Sequence, residues 1–226
     1  MVFGAVGDSI AGLVTDNPQM EAIFAAMGGE RGIMDAFFSA VVGLVALVAT
    51  AYSIRSVLKL RVEEEEQRAE PILATQTPRL RWAASHVVFA VVGPVVILLA
   101  MSLVAGVVYG LVTDDLPGQA SRALGSALVQ LPAVWVLTGL ALALFGLAPG
   151  LVALSWAALV FSLIVGQLGR ILQFPQWILD LSPFTHVPLL PAQELAALPL
   201  VVLSGLALIL GALGMAGVRR RDIPSV

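Results

Sequence analysis

LRVEEEEQRAEPILATQTPRLRW, residues 60–82, is the stretch from which the rest of the chain can be read. It holds the glutamates Glu63 to Glu66 and Glu70 together with Arg61, Arg68, Arg79 and Arg81. On either side lie long apolar runs with almost no charge. A charged island of about twenty residues between two membrane-length runs is a loop on one face of a bilayer. The glutamate run suits a helix start, where exposed N–H groups favour carboxylates. Glu64 and Arg68 are spaced i, i+4, and so is the like-charge pair Glu66 and Glu70. Pro71 disfavours helix at the residue before it. The pattern therefore predicts a short helix over 61–70, a break, and a turn at Ile72 to Thr75. Ile72, Leu73 and Ala74 form a small apolar patch beside that helix. The bland alternative is a solvated loop whose charges only hold it out of the bilayer.

The composition agrees with the flanks. Hydrophobic residues are 59% of the 226, charged residues 12%, and mean hydropathy is +0.96. A soluble domain has about 45–50% apolar and about 25% charged residues. The chain is thus expected to be all-α and polytopic in a lipid bilayer. A net charge of −3 supplies no basic field for nucleic acid. Without cysteine there is no disulfide, thiol catalysis or thiolate metal site. His86 and His186 stand far apart, without metal-binding spacing. No P-loop motif is present, so ATP is not expected to bind this chain through one.

Working outward, the first span is expected at 33–58, with Arg55, Lys59 and Arg61 marking a cytoplasmic end. The second is expected at 83–111, anchored by Arg81 and Trp82 and interrupted by Gly93-Pro94. An acidic turn at 113–119 leads to a third span at 123–147. Ala148-Pro149-Gly150 reads as a tight hairpin, and the fourth span as 151–169. A loop over 170–194, rich in proline and aromatics, reads as ordered interfacial structure. The last span is 195–218, where Gly211, Gly214 and Gly217 offer a small-residue face. Residues 1–32 read as an amphipathic segment: Asn17-Pro18 start a helix, and Met20, Ile23, Phe24 and Met27 share one face. Placing the island inside puts six basic residues from Arg55 to Arg81 and three at Arg219 to Arg221 in the cytoplasm, leaving Arg31, Arg122 and Arg170 outside. The N-terminus is then outside and the C-terminus inside a plasma membrane.

The string EEEEQRAEPILATQTPRLRW resembles the cytoplasmic coupling segment of type 2 ABC exporter permeases. LSPFTHVPLLP at 181–191 and GVRRRDI at 217–223 extend the likeness, which runs from about Asp35 to Ile223. The whole is similar to actinobacterial permeases that export polyketide antibiotics or multiple drugs. The resemblance implies an ABC ATP-binding subunit, carrying ATP and magnesium, that docks on segment 63–77. It implies a lipophilic small-molecule cargo. It also implies a six-span unit, so that the five spans here lack the family's first span, and another permease half or a second copy would supply it. The docking interface is expected at Glu66, Arg68, Glu70 and Leu73, nearest the Pro71 break, with Glu63 and Glu64 left solvated.

No enzyme constellation emerges. Asp114-Asp115 reads as a solvated turn, and His86 as a polar contact to a neighbouring helix. Gln130, Thr138, Ser162 and Gln167 are the deepest polar groups. They could line a translocation path or simply make interhelical hydrogen bonds. The spans carry no charge away from their ends, which argues against an ion-coupled carrier or a channel with charged rings. The expected function is the permease subunit of an ATP-driven exporter. The alternative is a non-transport membrane scaffold or assembly subunit, and a membrane enzyme is disfavoured for want of converging acids or histidines.

Overall fold

The structure is a computed structural model that describes residues 29–66, 79–169, 172–190, 193 and 195–220. The expected amphipathic segment over residues 1–28 and the expected docking residues Arg68, Glu70 and Leu73 lie outside the described residues. Among the described residues the fold is all-α, and five helices are long and apolar enough to cross a membrane. We label the long helices α1 (Gly29–Glu65), α2 (Arg79–Thr113), α3 (Leu116–Leu147), α4 (Leu154–Leu168) and α5 (Ala197–Arg220). A 3-10 turn, Pro149–Leu151, joins α3 to α4. A helical turn at Gln176–Leu179 and a 3-10 turn at Pro183–His186 lie between α4 and α5.

One helix occupies the centre. About four-fifths of the α3 span is buried (78%), against 17% for α5 and 22% for α2. Long faces of α2 and α5 therefore stay apolar and uncovered, including Val96, Val104, Val201 and Leu208. A bilayer tolerates such faces because lipid tails are as apolar as these side chains. The chain is a multi-pass membrane protein.

The crossing of α3 and α5 is set by glycine. A methyl group at Gly214 would stand 2.5 Å from the Leu142 carbonyl carbon, and one at Gly146 would collide with the Gly214 carbonyl oxygen. Gly217 presses on Gly146 in the same way, whereas Gly211 has open space where its side chain would be. The small-residue face is thus Gly214 and Gly217 without Gly211, met by glycine on the partner helix. Such seams bring backbones within dispersion range where no water-driven force exists.

The α1–α2 contact is organised by Pro94. Proline has no N–H, so the Ala90 carbonyl loses its helical partner. Ser53 Oγ of α1 donates to that carbonyl at 2.8 Å. Trp135 Nε1 of α3 donates to the neighbouring Val91 carbonyl at 3.1 Å. Helix α2 accordingly continues through Pro94 without interruption in its assignment.

Two boundaries depart from the sequence expectation. Helix α1 does not stop at residue 58 before a separate helix; it runs unbroken to Glu65, and Glu66 N–H still bonds to the Val62 carbonyl at 2.9 Å. Its 37 residues span about 55 Å, well beyond a hydrocarbon core of roughly 30 Å. Helix α3 starts at Leu116, inside the expected acidic turn, because Asp115 caps it by accepting the Gly118 N–H at 3.0 Å. The reversal is left to Asp114, whose φ is 53°. Asp tolerates that left-handed conformation better than most residues.

Candidate functional site

Side chains from separate elements converge at the island end of the bundle. Ile54, Val57 and Leu60 form a fully buried stripe on α1. Because α1 is continuous, the stripe carries on to Glu63 at the same three-residue step. Glu63 therefore faces α2 instead of solvent. Its Oε2 accepts Trp82 Nε1–H at 3.0 Å, and its Oε1 lies 3.0 Å from His86 Nε2. An ionised carboxylate can only accept, so Nε2 carries the imidazole proton in this contact. Trp82 and His86 sit one turn apart on α2, ring centroids 5.9 Å from each other. The Glu63 side chain is 27% exposed and that of His86 20%. The expectation that Glu63 stays solvated is thereby corrected, while the reading of His86 as an interhelical contact matches what is seen.

Arg61 ties the same end to the α3–α4 connection. Its Nε donates to Glu65 Oε1 at 2.6 Å and its Nη1 to the Pro149 carbonyl at 2.8 Å. A guanidinium presents several donors in a fixed fork, which lets one side chain join two elements. Arg61, Glu63, Trp82, His86 and Pro149 together join the end of α1, the root of the charged segment, to α2 and to the turn between α3 and α4. Sequence reading missed Arg61 and Glu63 as contact residues because it ended the first span before them.

The expected docking residues are placed only in part. Glu66 is exposed, just past the end of α1. Of the four expected path residues, Gln130 and Thr138 are buried on α3, and Ser162 on α4. Thr138 and Ser162 spend their hydroxyls on their own helices, at the Val134 and Ala158 carbonyls, 2.8 and 2.9 Å away. Gln167 lies on the exposed side of α4 while Ser162 lies on its buried side, so these two do not share a face. Ser102 of α2, which the sequence did not single out, is a buried hydroxyl without a partner among the described residues.

The far end is closed by a chain segment. The segment between α4 and α5 folds back onto the bundle. Phe184 packs against all three apolar clusters, and Val187 is buried beside Val129, Ala133 and Val136 of α3. The Leu190 carbonyl lies within hydrogen-bond reach of two helices: Ser39 Oγ of α1 at 2.8 Å and Ser126 Oγ of α3 at 2.9 Å, the latter sharing its one proton with the Arg122 carbonyl at 2.9 Å. Thr185 Oγ1 and His186 Nε2 hold the fold of the segment, bonding to the Leu179 and Asp180 carbonyls at 2.7 and 2.9 Å.

Residues 1–219 match the family model described as multidrug efflux system permease Rv1217c, C-terminal domain. The multidrug efflux system permease protein Rv1217c of Mycobacterium tuberculosis is 36% identical over 223 residues. The match takes in 99% of this chain and 41% of that protein, so the chain spans less than half the length of its relative.

Proposed function

The chain belongs to the family of the multidrug efflux permease C-terminal domain, and from that premise we propose that it is the membrane-spanning part of an ATP-driven exporter of lipophilic drugs or antibiotics. Its energy comes from a separate ATP-binding subunit that carries ATP and magnesium and docks on segment 63–77. A further permease half completes the path. The island faces the cytoplasm, in line with the excess of basic residues around it.

The observation that carries this reading is the continuity of α1 into the charged segment. A helix unbroken from the bilayer to Glu65 has no hinge along its length. A push on the segment therefore moves the helix as a rod. Arg61 and Glu63 then pass the displacement to the α3–α4 connection and to α2. The absence of charge from the middle of the described spans fits a carrier driven from outside the bilayer better than one driven by a bound ion. Glu66, Arg68, Glu70 and Leu73 supply the docking contact in this proposal. Gln130, Thr138, Ser162 and Gln167 supply polar stations along the path.

The test is export itself. Inverted membrane vesicles holding the chain with its ATP-binding partner should accumulate ethidium on addition of ATP, and vesicles holding the chain alone should not. Glu70→Lys should weaken recovery of the partner and stop accumulation while leaving membrane insertion intact. Partner recovery without any ATP-dependent movement of ethidium or other lipophilic dyes would favour a scaffold. In intact cells a cysteine at position 66 should resist an impermeant thiol reagent while one at position 121 reacts; the reverse would overturn the orientation.

A further inference from the structure

Arg55 and Lys59 occupy one face of α1, four residues apart, and both are exposed. Neither makes an ion pair or hydrogen bond among the described residues. The neighbouring charges are committed elsewhere: Arg61 to Glu65 and the Pro149 carbonyl, Glu63 to Trp82 and His86. Glu66 shares their face but stands seven residues beyond Lys59, about 10 Å further along the helix.

Their depth can be read from cross-helix contacts. Glu63 is level with Trp82, an indole of the kind that sits at the membrane–water boundary. Ser53 is level with Ala90, inside the apolar part of α2. Arg55 lies eight residues from Glu63 towards the middle, roughly 12 Å along the axis. Its guanidinium is therefore rooted in the hydrocarbon edge and must reach back towards the headgroups. An unpaired cation at that depth is costly unless it meets an anion.

The same face continues upward as an apolar strip. Tyr52 is 39% exposed, Val48 65% and Leu44 43%. The Tyr52 ring rests on Gly93 of α2, where even a methyl group would collide with it. The missing side chain at Gly93 makes room for the ring, and Tyr52 stands one turn from Arg55 on the same face of α1. A phenol, a guanidinium and an ammonium thus stand below an acyl-length strip.

We propose that Tyr52, Arg55 and Lys59 form a binding site for the phosphate of an anionic phospholipid, whose acyl chain lies along Val48 and Leu44. The charge pattern selects this occupant. The strip alone would accept any lipid, but two unpaired cations at its polar end favour a net negative headgroup over a zwitterionic one. The site is independent of ATP coupling and of any cargo.

The chain reconstituted in phosphatidylcholine vesicles can be probed with trace spin-labelled phosphatidylglycerol or spin-labelled phosphatidylcholine. The motionally restricted fraction should favour phosphatidylglycerol, by about fivefold for each cation that engages it. Arg55→Gln with Lys59→Gln should remove most of that preference. Arg219→Gln with Arg220→Gln, at the end of α5, should leave most of it. Should the double variant insert poorly, Arg55→Gln alone should still reduce the preference, and Tyr52→Phe should reduce it less. No preference in the unaltered chain, or a preference that survives Arg55→Gln with Lys59→Gln, overturns the proposal. So does cross-linking of a cysteine at position 55 to an acidic residue of a second permease half in place of any lipid preference.

Discussion

At Glu63 helix α1 meets its neighbour through a carboxylate, an indole and an imidazole, whereas at Ser39 it meets a loop carbonyl through a neutral hydroxyl. The island end also holds the glycine seam, where α3 and α5 touch backbone to backbone at Gly146, Gly214 and Gly217. At the far end α3 and α5 meet through side chains, with Val187 of the closing segment in the same apolar cluster as Val129, Ala133 and Val136 of α3 and Leu203 of α5. One end is fixed by long helices in direct contact. The other is closed by the segment between α4 and α5, which folds back onto the bundle through short turns.

The largest effect is expected where the backbones touch. Gly214→Val places a branched side chain where the Leu142 carbonyl group already stands. The helices must separate or shift, at a cost of about 3 kcal/mol or more. Gly211→Val, one turn away with open space around it, should be close to neutral. Thermal unfolding in detergent, read by size-exclusion chromatography, compares the two. Equal losses would mean that the seam does not fix this end.

Glu63→Ala should come next. It leaves the indole N–H of Trp82, a residue only 5% exposed, without its acceptor. An orphaned buried donor costs about 1–3 kcal/mol. Glu65→Ala removes only the pair with Arg61, in which the glutamate side chain is 59% exposed. A pair of that kind is worth about 0–1 kcal/mol. Four adjacent glutamates should thus behave unequally in the same unfolding assay. If Glu63 and Glu65 respond alike, net charge and not contact governs the island end.

That inequality also marks how far the sequence could be read. The helices were legible because the membrane leaves few options: long uncharged runs bounded by Arg61, Trp82, Asp114 and Arg219 must span as helices. The Gly214 and Gly217 contacts follow from small residues at matched spacing. The role of Glu63 did not follow, because a first span ending at residue 58 cuts off the stripe Ile54, Val57 and Leu60 before it reaches Glu63. Extended by one more step, that stripe singles out Glu63 among its identical neighbours. The path residues were hardest to place, since serine and threonine can spend their hydroxyls on their own helix, as Thr138 and Ser162 do. The loop over 170–194 was legible as ordered structure from its prolines and aromatics, but its tie to α1 and α3 was not, because the acceptor is the backbone carbonyl of Leu190 and every residue has one.

The smallest expected effect is the most informative about that closure. Ser39 and Ser126 donate to one carbonyl, which has two lone pairs. Removing either hydroxyl leaves the carbonyl satisfied by the other, so Ser39→Ala or Ser126→Ala alone should cost about 0.5 kcal/mol, the usual size for such bonds in membranes. Removing both leaves a carbonyl with no donor from either helix, and the double variant should lose more than the sum of the singles by about 1 kcal/mol. A double-mutant cycle on detergent-solubilised protein measures that excess. The excess should be accompanied by faster thiol labelling at position 187, where Val187 is otherwise buried, and by no change in labelling at position 63. Strict additivity, or equal exposure of both ends, would mean that the two serines act separately and that the far end is held by Phe184 and Val187 packing alone.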